Sequence, residues 1–239
     1  MTKPLYHTDA YVQEFDAVVM AALLEERAVI LDQTAFYPGG GGQPCDLGSL
    51  TIDGAMYAVD KVKKQGDDIL HFLRGTEALP AIGSAAHGTL DWARRYKLMR
   101  THTALHVLCG TVFRDYGALV TGGDMEPLKG RLDFEFETMR GELVRAIEMA
   151  INKEVQTGRE IRVSILPREE AFQIPDLIRT KINLLPEGIT QVRTVEIVGL
   201  DLQADGGTHV RNTNEVGRIR VADYKSKGAL NKRIYIEVE

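Results

Sequence analysis

The stretch His102-Thr103-Ala104-Leu105-His106 lies inside a segment, Asp91 to Phe113, whose pattern predicts one amphipathic helix. Leu98, Leu105, Leu108, Cys109 and Val112 recur at helical intervals, and Asp91 is the expected N-cap. Histidines four apart on a helix share a face, so both imidazoles can reach one ion. A metal centre needs further protein ligands, which the chain must supply from elsewhere. Asp205-Gly206-Gly207-Thr208-His209 is the candidate return. The helix also separates two textures of sequence.

Before it, short β-rich runs alternate with turns: Phe15–Ala22, Arg27–Leu31, Ser49–Ile52, Ala55–Lys61 and Asp68–Leu73. Asp53-Gly54 is a hairpin signal between two of them. Uninterrupted by helix, the run predicts a small β-barrel-like unit that closes near Gly83–Thr89. Within it, Thr34-Ala35-Phe36-Tyr37-Pro38 leads to four glycines, Gly39 to Gly42, and then Gln43-Pro44. Consecutive glycines cost entropy to order, so such a loop reads either as a floppy hairpin tip or as a place where backbone approaches a ligand.

Beyond the helix, a loop with Gly117, Gly122 and Gly123 is expected to precede an alternating strand at Arg131–Phe136. Gly141–Gln156 reads as a second helix with one apolar stripe and Gly158 as its stop. Ile161–Leu166, Val192–Val198, Gly217–Ala222 and Arg233–Val238 read as strands, and Arg168–Phe172 as a short helix. The expected class is α+β: a barrel-like glycine-rich domain over 1–89, then a domain with a mainly antiparallel sheet over 90–239.

Composition narrows the classes further. The 239 residues are 44% hydrophobic and 26% charged, with a net charge of −5. That is a folded soluble profile with no segment long and apolar enough for a membrane span and no signal-peptide core, so a cytoplasmic protein is expected. Two cysteines, Cys45 and Cys109, make no disulfide framework and are expected to pack as small apolar residues.

His102, His106 and His209 would offer zinc three nitrogen donors, and Asp205 an acceptable carboxylate fourth. If Asp205 stands aside, the fourth position falls to water, which becomes more acidic when bound. The other histidines, His7, His71 and His87, lack such partners and read as surface or packing residues.

At this point the motifs resemble a known family. Met99 to His106 resembles the HxxxH signature of alanyl-tRNA synthetase editing domains, and Asp205-Gly206-Gly207-Thr208-His209-Val210, with Thr213, Glu215 and Gly217, their CGGTHV segment. Thr34 to Pro44, with Asp46 and Gly48, is similar to their glycine-rich motif; Arg131-Leu132-Asp133-Phe134 and Lys225-Ser226-Lys227-Gly228 also fit. Nothing resembles an aminoacylation core, so the likeness is to the free-standing alanyl-tRNA editing proteins of the AlaX group, in their medium-length form.

That resemblance implies a Zn2+-dependent ester hydrolase acting on mischarged tRNA(Ala), chiefly the seryl and sometimes the glycyl ester. Asp205 stands where the family usually has a cysteine, and Leu105 where synthetase-borne domains commonly have a threonine. Reading a seryl hydroxyl then falls to Thr34 or Thr208, with Thr34 preferred, and Thr34→Val should lose serine selectivity while keeping metal. Gly207 and other glycine-segment amides are candidates for stabilising a developing oxyanion. No side chain stands out as general base.

The acceptor end of tRNA(Ala) is the expected partner, and it needs a basic face. Arg94, Arg95, Lys97 and Arg100, with Trp92 and Tyr96 interleaved, form one cluster; Arg218, Arg220, Lys225, Lys227, Lys232 and Arg233 form another. Of these, Arg94, Arg95, Lys225, Lys227, Lys232 and Arg233 are the expected tRNA contacts. Two other classes fit parts of this pattern: a non-catalytic tRNA-binding relative with a degenerate metal site, and a zinc hydrolase of small aminoacyl esters or amides.

Overall fold

The computed structural model describes residues 1–178 and 188–239. The chain divides into two compact units, Met1–Tyr96 and Lys97–Glu239, and the division falls within a helix. The class is α+β.

In the first unit the strands are β1 (Lys3–Pro4), β2 (Glu14–Leu23), β3 (Ala28–Leu31), β4 (Gln33–Thr34), β5 (Gly48–Ile52), β6 (Ala55–Gln65), β7 (Asp68–Arg74) and β8 (Ala85–Leu90). Six of them close into a barrel in the order β2-β3-β7-β6-β5-β8, and every pair is antiparallel. Along β2 the residues alternate exposed and buried from Glu14 to Met20, which aims Phe15, Ala17 and Val19 at the interior. Leu31, Phe36, Leu50, Ile52, Val59 and Leu73 complete that core. The hairpin between β5 and β6 turns on Asp53 (φ 50°) and Gly54 (φ 80°), the pair of left-handed residues that matches strand twist.

The glycine-rich segment is a tight turn built on left-handed glycines and backbone hydrogen bonds. Gly39, Gly40, Gly41 and Gly42 all have positive φ, at 84°, 140°, 58° and 87°, a run that residues with a Cβ would strain to follow. Gly40 and Gln43 exchange backbone hydrogen bonds at 3.0 and 2.9 Å. Asp46 secures the base of the loop, where its Oδ2 accepts from the Tyr37 N–H at 2.6 Å.

The helix α1 (Trp92–Tyr116) opens with Asp91 as N-cap, its Oδ1 accepting from the Arg94 N–H at 3.0 Å. It is not amphipathic in the expected sense. From Leu98 to Val112 every residue except Arg100 is buried. Threonine and histidine score as polar in a sequence, yet here Thr101 donates to the Lys97 carbonyl and Thr103 meets His209, away from solvent.

The second unit continues with β9 (Val120–Glu126), β10 (Lys129–Glu135), α2 (Gly141–Gln156), β11 (Ile161–Pro167), α3 (Arg168–Ala171), β12 (Gln191–Ile197), β13 (Asp201–Ala204), β14 (Ile219–Ser226) and β15 (Asn231–Val238). Two antiparallel sheets result, ordered β14-β15-β10-β9 and β11-β12-β13. The loop expected around Gly122 and Gly123 is instead strand β9, paired along β10. Helix α2 is docked on β14 by Asn152, which bonds both the N–H and the carbonyl of Ile219. Among the described residues no helix is long and apolar enough to cross a membrane.

Candidate metal centre

The second unit brings the two histidine segments together. His102 and His106 stand one turn apart on α1, and the loop after β13 delivers Asp205 and His209. One candidate ligand atom from each of these four residues lies within 4.8 Å of all the others. The rings pack at centroid distances of 5.0 Å for His102 and His106, 4.2 Å for His102 and His209, and 4.7 Å for His106 and His209. Asp205 Oδ2 is 3.0 Å from His209 Nε2, and its Oδ1 is 3.6 Å from His102 Nε2. Three imidazoles and a carboxylate converging in this way suit a borderline-soft divalent cation.

The loop is fixed by its own backbone. The Asp205 N–H donates to the Arg193 carbonyl on β12 at 3.1 Å, and Arg193 Nη1 returns a bond to the Asp205 carbonyl at 2.8 Å. The Gly207 N–H donates to Asp205 Oδ2 at 2.8 Å. After His209 the chain enters a 3₁₀ turn, Thr213–Val216, held by a capping box between Asn212 and Glu215.

Burial sets the charge states. His102 is held well below the ordinary imidazole value by loss of solvent, with the neighbouring imidazoles and Arg193 adding to the shift and Asp205 opposing it. His209 is pushed down to about 4, again chiefly by burial. For Asp205 burial alone would raise the pKa, but His102 and the bond from His209 hold it well below the usual carboxylate range. Neutral imidazoles beside an ionised carboxylate are the ligand-competent forms, because a cation must otherwise displace protons.

Two residues missed at the level of sequence stand behind the candidate ligands. Thr103 Oγ1 lies 3.1 Å from His209 Nδ1 and accepts from the Val210 N–H at 3.3 Å. A hydroxyl both donates and accepts, so Thr103 satisfies His209 in either tautomer. Asp201 Oδ2 lies 3.0 Å from His106 Nδ1. The sequence did carry a signal: Asp201, Asp205 and His209 follow one another at intervals of four.

The remaining candidates fall elsewhere. Gly207 and Thr208 are buried in the loop itself, and the Gly207 amide expected to face substrate is engaged by Asp205. Thr34 is fully buried in the first unit, its hydroxyl 2.8 Å from His71 Nε2. His71, read as an ordinary packing residue, is therefore a buried hydrogen-bonding one.

The basic clusters need correction. Arg95 is 1% exposed, and its guanidinium binds the Asp46 carboxylate, with Nε 2.9 Å from both oxygens, and the carbonyls of Ala10 and Ala35. Lys232 is buried too, its Nζ donating to the carbonyls of Gly228 and Ala229 at 2.7 Å each. Arg233 is paired with Asp133 through both oxygens, at 2.6 and 2.7 Å. Counting charges cannot tell a surface cation from one turned inward. Arg94 is half-buried, within 3.4 Å of the Cys45 carbonyl, whereas Lys225 and Lys227 are exposed.

Comparison with known proteins gives the chain's relatives. Residues 6–94 match the family described as tRNA synthetases class II (A), and residues 192–235 match the threonyl and alanyl tRNA synthetase second additional domain. The chain thus carries two segments of synthetase type. It is 40% identical over its whole length to the whole of the alanyl-tRNA editing protein AlaX-M of Saccharolobus solfataricus. It is 36% identical to the AlaX-M of Methanosarcina acetivorans, with 98% of each chain covered. The alanine–tRNA ligase of Ignicoccus hospitalis is 39% identical over 92% of this chain, which spans 24% of that ligase. The chain belongs to the AlaX-M family of alanyl-tRNA editing proteins.

Proposed function

We propose that this protein hydrolyses mischarged tRNA(Ala) in trans, at a zinc centre held by His102, His106, His209 and Asp205. The seryl ester is the proposed main substrate and the glycyl ester a second, with the acceptor end of tRNA(Ala) as the part bound and the cytoplasm as the place of action. The observation that carries the reading is the convergence of those four side chains from segments about a hundred residues apart into one buried cluster.

The chemistry asks for such a second site. Serine exceeds alanine by one hydroxyl, which an apolar synthetic pocket rejects only weakly, so fidelity requires separate hydrolysis of the wrong ester. Zinc, when bound, supplies Lewis acidity toward the aminoacyl group or an acidified water. The chain's own residues prepare for it. Burial keeps His102 and His209 unprotonated, while Asp205 contributes a negative charge that the Gly207 amide and Arg193 hold in place.

For reading the seryl hydroxyl, Thr34 and Thr208 remain the proposed residues. His71 Nδ1 faces the Val29 carbonyl at 3.3 Å and so carries its proton there, which makes Nε2 the acceptor for the Thr34 hydroxyl. Thr34 Oγ1 also accepts from the Phe36 N–H at 3.1 Å and keeps one lone pair for a further donor. Lys225 and Lys227 are the proposed phosphate contacts. Deacylation of Ser-tRNA(Ala), Gly-tRNA(Ala) and cognate Ala-tRNA(Ala) tests the reading: selective loss of the seryl ester is expected, and three stable esters would refute it.

A further inference from the structure

We infer that Asp201 is a positioning residue of the centre: it fixes His106 as the tautomer protonated on Nδ1, so that Nε2 is the nitrogen presented to the cation. Asp201 opens β13 and is 3% exposed, with Oδ2 3.0 Å from His106 Nδ1. A carboxylate oxygen that also takes the Gln203 amide accepts here, so the proton of this bond belongs to the imidazole. Asp201 thereby differs from Thr103, whose hydroxyl tolerates His209 in either form. Outer partners that orient ligand imidazoles in this way raise their basicity and tune metal affinity.

The carboxylate is itself held. Gln203 Nε2 donates to the same Oδ2 at 2.6 Å and reaches Cys109 Sγ on α1 at 3.4 Å. The close approach of β13 to the helix depends on Gly110, one turn beyond His106. A Cβ at that position would lie 2.9 Å from the Asp201 Cβ and 3.0 Å from the Leu200 carbonyl oxygen, so a larger residue must push the Leu200–Asp201 backbone away. Gly110, Asp201 and Gln203 form one device whose output is the orientation of His106.

The affinity part of this inference rests on the zinc reading above; the tautomer part does not. Nitrogen-15 NMR of the histidine rings, on protein free of metal and then titrated with zinc, reads the tautomer directly. His106 is expected with the proton on Nδ1 and none on Nε2 in both states. By chelator competition, Asp201→Ala should bind zinc about 10–100-fold more weakly. Asp201→Asn retains an acceptor oxygen and should fall between, and Gly110→Ala, which leaves every ligand in the sequence, should weaken zinc as well. His106 protonated on Nε2 in the wild-type protein, or wild-type zinc affinity in Asp201→Ala, would overturn the inference. Should Asp201→Ala not fold, the wild-type tautomer and Gly110→Ala decide. A wild-type protein that takes up no zinc would refute the zinc reading, and the metal-free tautomer would still decide this one.

Discussion

Asp205 Oδ2 lies 3.0 Å from His209 Nε2, four residues further along the chain, in a loop that turns the carboxylate back onto its own histidine. The aspartate therefore stands among the imidazoles as part of the cluster. Asp205→Ala should lose zinc affinity by more than the roughly 10–100-fold typical of an outer partner, while Asp205→Cys, which restores an anionic donor, should retain it. Chelator competition on the folded variants checks both; equal affinity for Asp205→Ala and wild type would remove Asp205 from the ligand set.

Arg95 and Asp46 pair inside the first unit, each side chain 1% exposed. Removing one member leaves a buried charge without its counterion. Asp46→Ala should therefore destabilise the protein by about 3–5 kcal/mol in urea unfolding. A cost below about 1 kcal/mol would show that the pair is solvated and Arg95 available to a ligand after all.

The barrel was largely legible from sequence, and the reason is specific. Phe15, Ala17 and Val19 alternate with exposed neighbours, and Asp53-Gly54 demands its turn, so local chemistry and final structure agree. The His102–His106 pair was legible because four-residue spacing on a helix fixes their common face. Strand β9 was not, since its Gly122 and Gly123 carry no side-chain pattern and are strand only by pairing with β10. Asp201 was missed because a four-residue strand is too short for periodicity to reveal. The inward turn of Arg95 depends on Asp46, 49 residues away, which no local window contains.

His71 gives the first unit a pH dependence of definite sign. Burial pushes its imidazole down to about 4 from an ordinary value near 6.5, with the Val29 carbonyl opposing. The unfolded chain takes up the proton near 6.5 and the folded one only near 4, so stability is intact above the first value and falls as pH drops toward the second. The full effect is about 3 kcal/mol. Urea unfolding of wild type and His71→Asn should show their difference shifting by about that amount between pH 7 and pH 4. A difference constant with pH would contradict the assignment.

Lys225 and Lys227 are exposed on β14 and just beyond it, while the Lys232 ammonium is committed to two carbonyls. Lys225 also faces Asp223 at 3.0 Å, an exposed pair worth little and readily given up. Replacing either exposed lysine with alanine should reduce the magnitude of the negative slope of log K against log salt for tRNA by about one. Lys232→Ala should leave that slope unchanged. Equal slopes for all three variants would take the phosphate contacts off this hairpin.

The most direct test joins metal content to turnover. Purified protein is assayed for zinc and for deacylation of Ser-tRNA(Ala) and Ala-tRNA(Ala), before and after stripping with a chelator and after zinc is returned. The account predicts about one zinc per chain and faster hydrolysis of the seryl than the alanyl ester, abolished by stripping and restored by zinc. Seryl-tRNA hydrolysed at the same rate by the stripped protein, or left intact by the zinc-loaded one, would contradict it.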